Sequence, residues 1–120
     1  MKRLALAAVA MALLAGCGGG SGATAPSGSI TVTMTEFKFD PASVSAPSGK
    51  VVFFLVNAGT TQHDLVIRDA SNNKVTGSEL VSAGDSVVFT VDKIGAGTYT
   101  YFCSQPGHEA SGMKGTLTVT

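Results

Sequence analysis

Cys103, His108 and Met113 stand five positions apart in the stretch CSQPGHEASGM, residues 103–113. A thiol, an imidazole and a thioether are soft or borderline metal donors. Pro106, Gly107 and Gly112 lie between them, and a helix would be broken or weakened at each, so the stretch reads as a loop. The chain has two histidines and two cysteines in all, the others being His63 and Cys17.

Taken together, His63, Cys103, His108 and Met113 make two imidazoles, one thiolate and one thioether. That is the donor set of a trigonal His₂Cys copper plane with a long, weak axial Met. Thiolate gives charge to Cu(II), imidazole suits both oxidation states, and thioether is the weak donor of the set. Pro106-Gly107 bends the loop so that His108 can meet a metal held by Cys103, and Gly112 helps turn Met113 to the axial side. Structural zinc is the next metal to weigh, but its four donors come from Cys, His and carboxylate, not thioether. A Cys–His nucleophile with Asp64 as orienter is also conceivable. Asp64 adjoins His63 on an extended segment, which sends the two side chains to opposite faces, and no oxyanion-type loop accompanies them. Met11 and Met34 read as apolar fillers.

Strands carry these donors and their loop. Period-two alternation runs through ITVTM (30–34), HDLVIRD (63–69), DSVVFTVD (85–92), TYTYFC (98–103) and GTLTVT (115–120). KVVFFLVN (50–57) is continuous enough to be covered on both faces. Turn chemistry separates the runs at Pro47-Ser48-Gly49, Asn57-Ala58-Gly59, Ser71-Asn72-Asn73, Ala83-Gly84-Asp85 and Gly95-Ala96-Gly97. No long helical face is present; GSELVSA (77–83) could turn once. Six or more short strands in about 90 residues predict an all-β, two-sheet β-sandwich. Alternation places Tyr99, Tyr101 and Cys103 on the inward face of their strand, with Thr98, Thr100 and Phe102 outward. Two strand ends at one pole would then bring His63 against the 103–113 loop.

The chain starts differently. Lys2 and Arg3 precede twelve apolar residues, LALAAVAMALLA (4–15), which as a helix would span about 18 Å against a hydrocarbon core of about 30 Å. Residues 1–16 therefore read as a signal peptide. Leu14-Ala15-Gly16-Cys17 resembles the lipobox of bacterial lipoproteins, which makes Cys17 the expected lipidation site; a plain secretory signal is the alternative. Residues 17–29 supply the lipidated Cys and a flexible Gly/Ser-rich linker, and 30–120 the folded domain. Without Lys2 and Arg3, six basic residues face eight acidic ones, a net charge of about −2, and no basic stripe suits nucleic acid. If Cys17 carries lipid, Cys103 has no cysteine partner, and a metal would protect its thiol from oxidation. A Cys17–Cys103 disulfide, the competing pairing, would staple a flexible tail to a strand end.

Residues 30–120 resemble the cupredoxins, the small blue copper proteins of the azurin, plastocyanin and auracyanin group. The stretches EFKFDPASVSAPSGKVVFFLVNAGTTQHDLVI and GTYTYFCSQPGHEASGMKGTLTV carry the resemblance, and the Cys-x4-His-x4-Met spacing is similar to that of azurin- and auracyanin-type loops. The resemblance implies a Greek-key sandwich and one type 1 copper with His63, Cys103 and His108 equatorial and Met113 axial. It implies one-electron transfer through the exposed edge of His108. Where azurin and plastocyanin often have Asn after the first histidine, this chain has Asp64, which could accept from Ser104 while adding charge. The carbonyl of Gln62 corresponds to an axial donor in azurin.

The expected protein is a lipid-anchored, exported electron carrier facing the periplasm or cell exterior. Its expected partners are redox proteins, membrane-bound respiratory or photosynthetic complexes, and it is expected as a monomer. A copper carrier for another exported cuproenzyme is the alternative, although delivery sites are usually open and rich in Met or His. A multicopper enzyme would need further histidines beside the cysteine; Phe102 and Ser104 stand there, so no enzymatic activity of its own is expected.

Overall fold

A computed structural model describes residues 24–120 of the chain. The signal peptide read at 1–16, the lipidation site Cys17 and the linker up to residue 23 lie outside the described residues. Residues 26–29 form a turn in which the N–H and hydroxyl of Ser29 both donate to the Pro26 carbonyl.

The described residues form nine strands and no helix: β1 (Ile30–Thr35), β2 (Lys38–Asp40), β3 (Ser43–Ala46), β4 (Gly49–Asn57), β5 (Val66–Arg68), β6 (Lys74–Gly77), β7 (Ser86–Ile94), β8 (Gly97–Phe102) and β9 (Lys114–Val119). They build two facing sheets, ordered β2-β1-β4-β7 and β3-β9-β8-β5-β6. This is the all-β sandwich that the alternation predicts. Both sheets are mixed: β1 runs parallel to β4 and β3 parallel to β9, while the remaining pairs are antiparallel. The parallel pairs arise because the chain changes sheet between β2 and β3 and again between β3 and β4, so neighbours in space are not neighbours in sequence.

Alternation fills the space between the sheets. Val32 and Met34 of β1, Val51, Phe53 and Leu55 of β4, and Leu117 and Val119 of β9 are all buried. On β4 the second face is covered only in part, with Phe54 buried but Val52 and Val56 half-exposed. Tyr101 of β8 is fully buried, and its hydroxyl donates to the Pro41 carbonyl at 2.6 Å, satisfying the one polar atom of the ring. Its ladder partner is Gly115, where any Cβ would overlap the tyrosine ring. Glycine is needed there for close approach. This anchors β8 two residues before Cys103.

One sequence expectation needs correction. The run at 63–69 is a strand only over Val66–Arg68, and His63 makes a single bridge to Val81. The ladder fails at Leu65, whose N–H goes to the Ser78 hydroxyl and whose carbonyl accepts from the Ser78 N–H. In addition, β2, β3 and β6 were not legible as strands. Pro41 divides the first two into pieces of three and four residues, too short for a period to declare itself. β6 is a sheet edge without a buried residue.

Candidate metal centre

Cys103 follows the last residue of β8, and its N–H donates to the Met113 carbonyl at 3.2 Å. That bond closes the loop at its base. Inside it, His108 N–H bonds the Gln105 carbonyl, Gly112 N–H the Glu109 carbonyl, and Met113 N–H the His108 carbonyl. These consecutive turns require left-handed backbone at Gly107 (φ 79°) and Gly112 (φ 111°), which explains glycine at both.

His63 arrives from the other side. Its N–H and carbonyl pair with Val81 at 3.2 and 2.8 Å. The loop before it is braced by the buried Asn57, whose amide donates to the carbonyls of Thr61 and Val81 and accepts from the Gly59 N–H. Gln62, beside His63, has an exposed side chain.

The structure brings three donor atoms to one point. Cys103 Sγ lies 3.8 Å from His63 Nδ1 and 3.5 Å from His108 Nδ1, and the two Nδ1 atoms are 3.2 Å apart. A point equidistant from the three corners of that triangle is about 2.0 Å from each, the length of a bond to a first-row metal ion, about 2.0–2.3 Å. The donor set therefore fits a copper ion. His63 and Cys103 are buried, and His108 is half-buried. Met113 is fully buried and joined to both Cys103 and His108 through its backbone.

Electrostatics favours uncharged imidazole. Burial lowers the His63 pKa, and the neighbouring His108 lowers it further. Burial pushes the Cys103 thiol up, partly offset by the backbone N–H groups of Asp64 and Gln105. A neutral imidazole is ready to bind metal; the thiolate needs a cation to exist there, which couples proton release to metal binding.

Around the donors, Asp64 accepts from both the N–H and the hydroxyl of Ser104, tying the two donor-bearing segments together. Other contributors come from far along the chain. Arg68 of β5 makes two hydrogen bonds, 2.8 and 2.7 Å, to the Glu109 carboxylate and stacks over the Phe102 ring at 4.5 Å. Phe37, at the β1–β2 turn, packs edge-on against the His108 ring, centroids 5.2 Å apart. Glu36, next to it, accepts from Thr60 and Thr61. Neither Glu36 nor Arg68 carries a spacing signal toward the donors, because each meets its partner across the fold.

Comparison with known proteins agrees with this geometry. The model of the family described as copper binding proteins, plastocyanin/azurin family, matches residues 26–120. Auracyanin-B of Chloroflexus aurantiacus is 46% identical over 48 residues, 40% of this chain and 20% of that protein. Azurin of Pseudomonas denitrificans is 43% identical over 56 residues, 44% of this chain and 43% of azurin. In these two matches the chain spans less than half of its relative's length. Plastocyanin of Scenedesmus fuscus is 36% identical over 88 residues, 68% of this chain and 85% of plastocyanin. Among solved structures, auracyanin B superposes with TM-score 0.71 at 28% identity, covering 85% of this chain and 96% of that one. With the match extending over nearly all the described residues, the chain belongs to the plastocyanin/azurin family of copper-binding proteins.

Proposed function

We propose that this protein is a membrane-tethered blue copper protein that passes single electrons between extracytoplasmic redox partners, and that it has no enzymatic activity of its own. The observation that carries the proposal is the preassembled triangle of His63 Nδ1, Cys103 Sγ and His108 Nδ1 at one end of the sandwich. In this reading His63, Cys103 and His108 are the equatorial ligands and Met113 the axial one. A copper ion held there supplies one-electron exchange between Cu(I) and Cu(II). The chain's part is to hold the donors still. Cys103 is fixed to β8 and to Met113, His63 to Val81, and Asp64 joins the two segments through Ser104. Donors that cannot follow the geometry preferred by either oxidation state keep the structural change on electron transfer small. His108 is the donor that reaches the surface, beside the exposed ring of Phe37, so a partner approaches from that end.

Tethering rests on the sequence: the 4–15 apolar run, Cys17 as lipid acceptor and the linker behind it. Among the described residues no helix is long and apolar enough to cross a membrane. The linker of about a dozen residues gives a root-mean-square reach of about 17–21 Å, which confines the domain to a shallow layer facing the periplasm or cell exterior. Its partners there are membrane-bound respiratory or photosynthetic complexes, met by a monomer. An optical spectrum and redox titration of the copper-loaded chain test the proposal. An intense thiolate-to-copper band that bleaches reversibly with one electron supports it. Copper bound without that band, released on adding a chelator, overturns it in favour of copper delivery.

A further inference from the structure

Glu36 sits in the turn between β1 and β2, outside the donor motif. Its Oε1 accepts the N–H of Thr60 at 2.6 Å and of Thr61 at 2.9 Å, and both threonine hydroxyls at 3.2 Å. The same oxygen lies 3.4 Å from Nε2 of His63. That Nε2 is buried and makes no well-aligned hydrogen bond within the described residues, so the Glu36 carboxylate faces it without closing a full bond. Gly59 closes the arrangement: a Cβ there would stand 2.6 Å from Glu36 Oε1, so the loop lies directly on the carboxylate. Because Nδ1 of His63 faces Cys103 and His108, the ring proton of the neutral imidazole belongs on Nε2, the atom turned toward Glu36. The four threonine donors hold the carboxylate in place independently of the histidine.

We infer that Glu36 is a positioning residue for His63, acting through the ring. As the carboxylate facing Nε2, it favours the tautomer that leaves Nδ1 bare, orients the ring and strengthens Nδ1 as a donor. A carboxylate behind a ligating imidazole is worth tenfold or more in metal affinity. The added donor strength acts more on Cu(II) than on Cu(I), so Glu36 lowers the reduction potential. The inference rests on the copper reading above. It goes beyond it by placing control of the site in a turn that contributes no ligand.

The test uses the full chain with Glu36→Gln, which keeps an acceptor and removes the charge, and Glu36→Ala, which removes both. Two readouts are needed: the reduction potential of the copper protein, and exchange of the His63 ring N–H with solvent, followed by NMR in zinc-loaded samples. A tenfold loss of Cu(II) relative to Cu(I) affinity in Glu36→Ala is expected, a rise of about 59 mV for one electron, with a smaller rise in Glu36→Gln. Ring-proton exchange should accelerate in the same order. If both variants keep the wild-type potential and exchange rate and only melt earlier, Glu36 merely braces the 59–61 loop and the inference is overturned. Should Glu36→Ala not fold, the nearly isosteric Glu36→Gln decides on the same criteria. Failure of the copper reading shows separately, as a wild-type protein without the thiolate band. The zinc-loaded exchange rates then still decide whether Glu36 holds the His63 proton.

Discussion

His63 and His108 offer the same atom to the same cluster from opposite kinds of surroundings. His63 is fully buried, paired with Val81 through both backbone groups, and backed by Asn57 and Glu36. His108 is half-buried in a loop built from turns, touched on its ring by Phe37 and steadied through its neighbour Glu109 by Arg68. The two imidazoles divide the labour. One imidazole is fixed as part of the sandwich; the other is held at the surface, where its environment can be reached from solvent. Surroundings alone create the contrast, since the two residues are chemically identical.

The largest effect should come from the residue both histidines share. Cys103→Ser removes the sulfur corner of the triangle, so the intense visible band is expected to vanish while circular dichroism still reports a sandwich. A variant that stays intensely blue would remove Cys103 from the site and leave the comparison without a centre. Next, His108→Gly and His63→Gly separate the two imidazoles directly. Added imidazole should restore the band in His108→Gly, whose cavity opens at the surface, and should fail in His63→Gly, whose cavity is sealed. Equal rescue of both would break the contrast. Met113→Leu should be milder: copper and colour are kept and the potential rises, because losing a weak donor costs Cu(II) more than Cu(I). Loss of copper would make Met113 a primary ligand.

The smallest effect sharpens the His108 side. Arg68→Gln removes the two bonds to Glu109 and is expected to cost about 1 kcal/mol or less, as for a pair near the surface. The Arg68 guanidinium holds the Glu109 carboxyl below its ordinary value of 4.5. A depressed carboxylate stabilises the fold above that ordinary value, and the contribution is lost as pH falls through the lower folded value. Urea melts of wild type and variant should therefore differ above pH 4.5 and converge in stronger acid. A constant difference across that range would mean that the ion pair does not carry the effect.

Much of the site was legible because its chemistry is local. Cys103, His108 and Met113 share one loop, and the glycines among them announce its turns. His63 was legible by scarcity, being the one other histidine. The pairing of Asp64 with Ser104 was foreseeable only because each adjoins a donor. Glu36, Asn57, Phe37 and Arg68 were not legible, since residues whose partners lie 24, 41 or 71 positions away leave no period or spacing to read. The short strands β2 and β3 were hidden for the same reason: they are strands because β1 and β9 pair with them.

The donor types, the turn-rich loop that carries three of them, and the alternation that makes a two-sheet sandwich are all written locally in the chain. These follow from side-chain chemistry and from the backbone preferences of neighbouring residues. Packing between distant segments sets the 3.2 Å between His63 Nδ1 and His108 Nδ1, leaves one histidine sealed and the other half-buried, and puts a carboxylate from the β1–β2 turn behind the sealed ring. The reason is physical: distances between distant segments are set by how two sheets pack over a shared core, and no single segment contains that information.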